Sequence, residues 1–501
     1  MNRIRHVTAI ILAAMVATLS AGGQAVDLTK EQKTIDAGAL NDFAKENLPS
    51  FSTARLTNGI PVIIKRSTTN RILSLKVVLR GHVSFTPVAK AGLEAAMLTM
   101  LTRGSAHYTY EDFQRTLFET SGSIGAGYSS FDMTSFDLVT IDTYFKELFP
   151  VFADAFLHPS WNAEEFPRVM NDFELAKQQD ENDPYSLAVE KLNNSFFAGH
   201  PYAASWSGVG DSLEGITLDD VKAYYAQNVF AGRIFIVAVG NFDPATLVPL
   251  LDTTFGAMTG TSYTRPAVPS FEGKVKPDLM VQDFPASTGL AYVRGDFAMP
   301  GADSPDYAPS LVAFSLLDDV LFEIVRTRNG ACYSVWSSMH GFTASYGDIT
   351  VFKTAVPGLV KPLVDQAIAV LASGRSMGGN VSASAAGKSG IGSAGEDTTA
   401  AAFVPIADAL PFYREKALTQ FYTGQQTNTS VAAQIASSIV YDGDYRDYLL
   451  IRDRIQAVTA DDVVRVTKKY LVSNPALWIV LGDPALLKTV KKSDFLSFTA
   501  H

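Results

Sequence analysis

The sequence predicts an α+β fold made of two tandem homologous halves, and three observations carry that prediction. The phrase "ITLDDVKAYYAQNVFAGRIFIVAVGNFDPATL" from Ile216 returns as "VTADDVVRVTKKYLVSNPALWIVLGDPALL" from Val458. A weaker upstream match relates "LFETSGSIGAGYSS" (117–130) to "LFEIVRTRNGACYSV" (321–335), aligning Tyr128-Ser129 with Tyr333-Ser334. Between the copies runs "SYTRPAVPSFEGKVKPDLM" (262–280), whose three prolines suit a connector rather than a helix or a central strand. Strands mixed with helices in two like units read as paired α+β modules.

The elements follow in order. Arg3 and Arg5 precede an apolar run from Val7 to Leu19, and "GQA" ends at Ala25. This is the pattern of a cleavable secretory signal over residues 1–25, and the run is shorter than the roughly 20 apolar residues a membrane span requires. Residues 26–265 form the first half. It opens with "STARL" and "TNGIPVIIKR", two strands joined by an Asn-Gly turn, followed by "ILSLKVVLRG" as a third strand. "AGLEAAMLTMLTRGS" (91–105) then reads as a helix with Leu93, Ala96, Met97, Met100 and Leu101 on one buried face. The repeated phrase closes each half. Thr217 and Thr459 each stand two residues before an Asp pair, which predicts a capped helix start leading to an apolar strand. The connector occupies 266–280 and the second half 281–490. The second half holds extra chain, assigned to "SGRSMGGNVSASAAGKSGIGSAGEDTTAAA" (373–402), a Gly/Ser/Ala-rich insertion without periodicity. Its "AAGKSG" is not a phosphate loop, because Ser382 stands where that motif requires glycine.

Composition narrows the function. The 501 residues are 47% hydrophobic and 18% charged, with a net charge of −10 and a pI near 5.3, which argues against nucleic acid as a partner. Cys332 is the single cysteine, so no intrachain disulfide and no thiolate metal cluster can form. The seven histidines stand at 6, 82, 107, 158, 200, 340 and 501, and no two share the i, i+4 spacing that puts two ligands on one helical face.

The 91–105 helix, the duplication, and phrases such as "DENDPYSLA", "FFAGHPYAASWSG" and "NVFAGRIFIVAVGNFDP" together resemble the pitrilysin/insulinase family of zinc metallopeptidases, from about residue 54 to about 485. In that family the first half carries Gly-Leu-x-His-x-x-Glu-His. The two His bind zinc, the Glu acts as base on the zinc-bound water, and a later helix supplies a third ligand. Aligned on Gly92-Leu93 and Gly104-Ser105, those positions are Ala95, Leu98 and Thr99, and the third falls at Leu175 or Ala176, beside Glu174. None of the aligned residues ligates zinc or acts as a base. The resemblance therefore implies a degenerate zinc site, no metal in this chain, and zinc in a partner.

The second half retains more of the family pattern. "RTRNGACY" matches the family's Arg-x-x-x-x-x-x-Tyr element with Arg326 and Tyr333, and Arg328 reads as a surface charge beside them. In active members this pair closes over a zinc site, the Arg holding a substrate carbonyl and the Tyr hydroxyl steadying the oxyanion. The resemblance implies a fold of two peptidase-like halves, each a mixed or antiparallel sheet packed with helices. It also implies a function: the non-zinc subunit of an exported, periplasmic, heterodimeric metallopeptidase, inert alone, whose partner is a zinc-bearing homologue and whose substrates are unfolded peptides taken up at a sheet edge. The chain would not be an integral membrane protein. The rival reading is a structural, scaffolding or peptide-binding member of the family with no peptidase role.

Overall fold

The computed structural model describes residues 42–205, 208, 210–378 and 402–498. The predicted signal, 1–25, and most of the predicted insertion lie outside them. In the first half, β1 (Phe51–Arg55) and β2 (Pro61–Arg66) form the expected hairpin, with Gly59 at φ 89° in its turn. Then come β3 (Ile72–Arg80), α1 (Leu93–Met100), α2 (Tyr110–Thr120), β4 (Ser123–Ser129), β5 (Met133–Ile141), α3 (Phe145–Leu157), α4 (Phe166–Asn182), α5 (Pro184–Phe196), α6 (Leu218–Asn228), β6 (Ile234–Gly240) and α7 (Pro244–Asp252). The strands assemble in the order β1-β2-β6-β3-β5-β4. β2 and β6 run parallel and every other neighbour antiparallel, so the sheet is mixed and β4 is an open edge.

The second half repeats the plan with β7 (Asp278–Asp283), β8 (Ala291–Ala298), α8 (Tyr307–Leu321), β9 (Ser334–His340), β10 (Tyr346–Thr354), α9 (Pro357–Ala372), β11 (Arg375–Ser376), β12 (Val404–Pro405), α10 (Ile406–Thr423), α11 (Asn428–Tyr441), α12 (Ala460–Thr467) and β13 (Leu477–Gly482). Its sheet is ordered β7-β13-β8-β10-β9, again with one parallel pair, β7 and β13. The connector runs without helix or strand from 258 to 277, and β7 begins inside the stretch read as linker.

The two closing units are equivalent in detail. Thr217 and Thr459 cap α6 and α12, each hydroxyl accepting from the backbone N–H of the Asp three residues on, Asp220 and Asp462, at 3.1 Å. Those Asp side chains return to the cap residues' own N–H groups, so both helices start in a capping box. Asp243 and Asp483 then cap the helices that follow β6 and β13. The upstream Tyr-Ser match does not mark equivalent places: Tyr128 lies inside β4, whereas Tyr333 precedes β9. The chain leaves for the insertion along β11 and returns along β12, and these two strands pair with each other. The insertion is therefore narrower than 373–402, since Ser376 and Met377 are buried.

Each sheet buries both faces. One face of the first sheet, with Leu75, Val77, Phe136 and Leu138, packs on Met97 of α1 and on Phe149, Phe152 and Phe156 of α3. The opposite face, with Val78, Met133, Phe235 and Val237, packs on Ala432, Ile435, Ala436 and Val440 of α11, a helix of the second half. The second sheet reciprocates: Tyr292, Tyr346, Ile479 and Leu481 pack on Ala188, Leu192 and Phe196 of α5, a helix of the first half. The halves thus exchange one helix each across their seam. Complete burial of β6 and β13 follows from this, and it is why both read as continuous apolar runs instead of alternating ones.

Candidate functional site

Helix α1 starts at Gly92, whose φ of 92° is left-handed and whose Cα faces Leu213; an added Cβ there would lie 2.6 Å from Leu213 Cδ2. The helix is held by a buried network that sequence inspection did not detect. Glu94 and Arg233 are both fully buried and pair through Oε2 and Nη2 at 2.6 Å. Thr134 and Tyr224 also donate hydroxyl hydrogen bonds to the Glu94 carboxylate. Arg233 spends its remaining donors on the carbonyls of Arg80, at 2.7 Å, and Asn228, at 2.9 Å. One signal was available in the sequence: when the closing phrases are aligned, Arg233 stands opposite Pro475, a cation unique to the first copy.

One turn further along, the aligned zinc positions converge. Ala95, Leu98 and Thr99 line a cavity of about 710 Å³, and Ala176 of α4 lines the same cavity. Leu175 is 48% exposed and does not line it. Leu98 is buried, and the Thr99 hydroxyl bonds back to the Ala95 carbonyl at 2.9 Å. The wall therefore presents methyl groups and a hydroxyl already committed to its own helix turn. Among the described residues no group of three or more His, Cys, Asp or Glu is arranged to hold a metal.

Other sides of the cavity come from the β4 edge (Ala126 to Ser129), from α5, and from Arg294, His340 and Tyr346 of the second half. Arg294 is buried against two carboxylates, Asp296 Oδ1 at 2.9 Å and Asp348 Oδ2 at 3.3 Å. His340 Nε2 lies 2.8 Å from Asp348 Oδ1, and its ring stacks on Tyr346 at 4.4 Å. Burial outweighs the Arg294 charge at Asp296 and pushes that carboxyl up to about 6. The first sheet has a counterpart in the buried Lys76–Asp137 pair on facing positions of β3 and β5. Gly127 makes room for it, because a Cβ there would lie 2.0 Å from Asp137 Oδ2.

Arg326 and Tyr333 meet elsewhere. Helix α8 continues as a π-helical segment over Phe322–Arg328, a rare geometry often found at functional sites. Arg326 lies over the Phe322 ring at 5.0 Å and the Tyr333 ring at 5.6 Å, and Tyr333 is 67% exposed. Neither residue lines the α1 cavity. Arg328 pairs with Glu323 at 2.9 Å and sits over Phe403. Cys332 is half-buried, and burial pushes its thiol up to about 11. The structure therefore brings Arg326 to Tyr333, brings Ala95, Leu98 and Thr99 to Ala176, and keeps the two groups at separate places.

The two like halves, the α1 helix with Ala95, Leu98 and Thr99 on its cavity face, and the exposed Arg326/Tyr333 pair can be set beside known proteins. Residues 215–376 match the family described as Peptidase M16 inactive domain. The chain is 21% identical over 322 residues to the mitochondrial-processing peptidase subunit beta of Lentinula edodes, covering 59% of this chain and 61% of that one, less than two thirds of that relative's length. It is 22% identical over 320 residues to the non-peptidase homolog YmxG of Helicobacter pylori, covering 62% of this chain and 73% of that one. Its fold matches the crystal structure of a peptidase M16 inactive domain from Pseudomonas fluorescens with a TM-score of 0.72 at 18% identity, covering 86% of this chain and 97% of that one. A protease from Helicobacter pylori gives 0.71 at 14% identity, covering 86% and 99%. The chain thus matches the M16 inactive domain over residues 215–376, is similar to processing-peptidase and non-peptidase relatives and shares the fold of M16-type structures, with Ala95, Leu98 and Thr99 at the positions aligned with the family's zinc motif.

Proposed function

We propose that this chain is the zinc-less subunit of a two-chain metallopeptidase and lends Arg326 and Tyr333 to the zinc site of a homologous partner. One observation carries the proposal: the pair is held side by side on the surface, away from the chain's own α1 cavity, where a second molecule can reach it. The partner's zinc would supply the activated water. Arg326 would donate to a carbonyl of the bound peptide, and the Tyr333 hydroxyl would donate to the oxyanion that forms as water adds. Substrates on this reading are unfolded peptides taken up as extended strands, for which the open β4 edge offers a second place of attachment. Export to the periplasm belongs to the proposal and rests on residues 1–25. Among the described residues no helix is long and apolar enough to cross a membrane.

The test is to isolate the tagged chain from its native host, identify the copurifying homologue, and measure cleavage of a quenched fluorescent peptide. Tyr333→Phe should lower turnover roughly 10²–10³-fold with the complex intact. Arg326→Ala should in part weaken substrate binding, and Arg326→Lys should rescue it poorly because an ammonium lacks the planar fork. Near-normal turnover of Tyr333→Phe in an intact complex would overturn the proposal. It would favour the rival structural role, for which the buried, ion-paired α1 is the supporting observation.

A further inference from the structure

Three non-glycine residues among those described have a left-handed backbone: Ser121, Trp161 and Lys353. Ser121 ends helix α2 and Trp161 lies in a loop; Lys353 alone sits inside a strand, at φ 58° near the end of β10. An L-residue with a long side chain adopts that conformation at a cost, and such positions persist where the surrounding structure dictates them. The cause is visible in the pairing. Against β8, the register of β10 shifts by one residue between Val351 and Thr354, which is a β-bulge. Against β9 on the other side, the register stays regular through Phe352 and Ser334. The next backbone bond on that side runs from the Tyr333 N–H to the Lys353 carbonyl, at 3.0 Å.

We infer that Lys353 is a positioning residue for Tyr333. The left-handed turn at Lys353 takes up the extra residue on the β8 side while its carbonyl keeps the β9 register, where it fixes the Tyr333 backbone as the next pair of that ladder and so sets the height at which the phenol stands beside Arg326. Exposed Lys353 rests its ammonium over the Phe352 ring at 5.1 Å, and Phe352 is itself wedged among Tyr185, Tyr292 and Trp336. Those three rings anchor the bulge from below. Tyr333 is 67% exposed and follows half-buried Cys332, and this backbone bond ties it to β10 while Arg326 lies over its ring. The role in turnover rests on the two-chain reading above; the mechanical tie does not.

The test uses five variants of the full chain: Lys353→Gly, Lys353→Asn, Lys353→Val, Tyr333→Phe and Tyr333→Phe/Lys353→Val. Gly and Asn accept a left-handed backbone, whereas β-branched Val resists it. Hydrogen exchange of the segment spanning Tyr333 should stay slow in the Gly and Asn variants and quicken in Lys353→Val. In the complex, Lys353→Val should lower turnover on the order of 10–100-fold, as a misplacement of about 1 Å would, with KM little changed, while the Gly and Asn variants retain it. In the Tyr333→Phe background Lys353→Val should cost nothing further, because it acts through that hydroxyl. Unchanged exchange in Lys353→Val would overturn the inference. So would an undiminished Lys353→Val loss in the Tyr333→Phe background, or lost turnover in Lys353→Gly with exchange still slow, which would assign the role to the ammonium. If Tyr333→Phe alone is silent, the two-chain reading fails and the exchange result still decides whether Lys353 holds Tyr333.

Discussion

Replacing Glu94 by Gln tests how α1 is held. The substitution preserves volume and an acceptor for Thr134, but it leaves the fully buried Arg233 guanidinium without its counter-charge. Breaking one side of a buried pair costs about 3–5 kcal/mol. A second route gives a similar magnitude. Burial alone would raise the Glu94 carboxyl, yet the charges of Arg233 and His82 and the Thr134 and Tyr224 hydrogen bonds outweigh it and hold the pKa at about 2, against an ordinary 4.5. At 1.4 kcal/mol per pH unit, that gap corresponds to about 3 kcal/mol of stability at neutral pH. The folded-state pKa is depressed, so this stability is present above pH 4.5 and is lost as pH falls toward 2. Urea unfolding at pH 7 should therefore separate Glu94→Gln from wild type by about 3 kcal/mol or more, and the separation should shrink below pH 4.5. The double variant Glu94→Leu/Arg233→Met should lose much less than the sum of its single substitutions, because it removes both charges together. A single-variant loss under about 1 kcal/mol, or strictly additive singles, would refute the reasoning.

Other outcomes follow from the same geometry. Wild-type chain should hold no stoichiometric zinc, while Ala95→His/Leu98→Glu/Thr99→His/Ala176→Glu should gain about one zinc per chain by metal analysis, because these four positions face one cavity; a folded variant without zinc would contradict that convergence. Deleting residues 379–401 should shift stability by less than about 1 kcal/mol, because β11 and β12 already hold the ends together, whereas a deletion that also takes buried Ser376 and Met377 should cost measurably more in a urea titration. Asp296→Asn should flatten the stability profile between pH 4 and 6: the folded carboxyl is raised from 3.8 to about 6, so its favourable contribution, about 3 kcal/mol, is full below 3.8 and lost as pH rises through 6. Urea midpoints at pH 4, 5 and 7 check this.

The local elements were legible in the sequence because the interactions that form them span few residues. Thr217 and Thr459 cap their helices through side chains three positions away, and Asn58-Gly59 turns the first hairpin through its own backbone freedom. That Ala95 and Leu98 cannot ligate a metal was equally legible, since an alanine methyl or a leucine side chain offers no donor atom in any fold. The spacing of Arg326 and Tyr333 was visible as a motif, and the structure adds the 5.6 Å contact and the exposure. The Tyr-Ser match misled because similar residue strings need not share a strand register, and register is set by pairing partners far along the chain. Only the tertiary structure decided the exchange of α5 and α11 between the two sheets, since an apolar helix face does not specify which sheet it will cover. It alone joined Glu94 to Arg233, brought Ala176 rather than Leu175 to the α1 cavity, and turned Lys353 left-handed. Each of these depends on neighbours that only the completed packing supplies: a buried charge takes its partner from another element, and a bulge arises where two ladders with different registers share one strand.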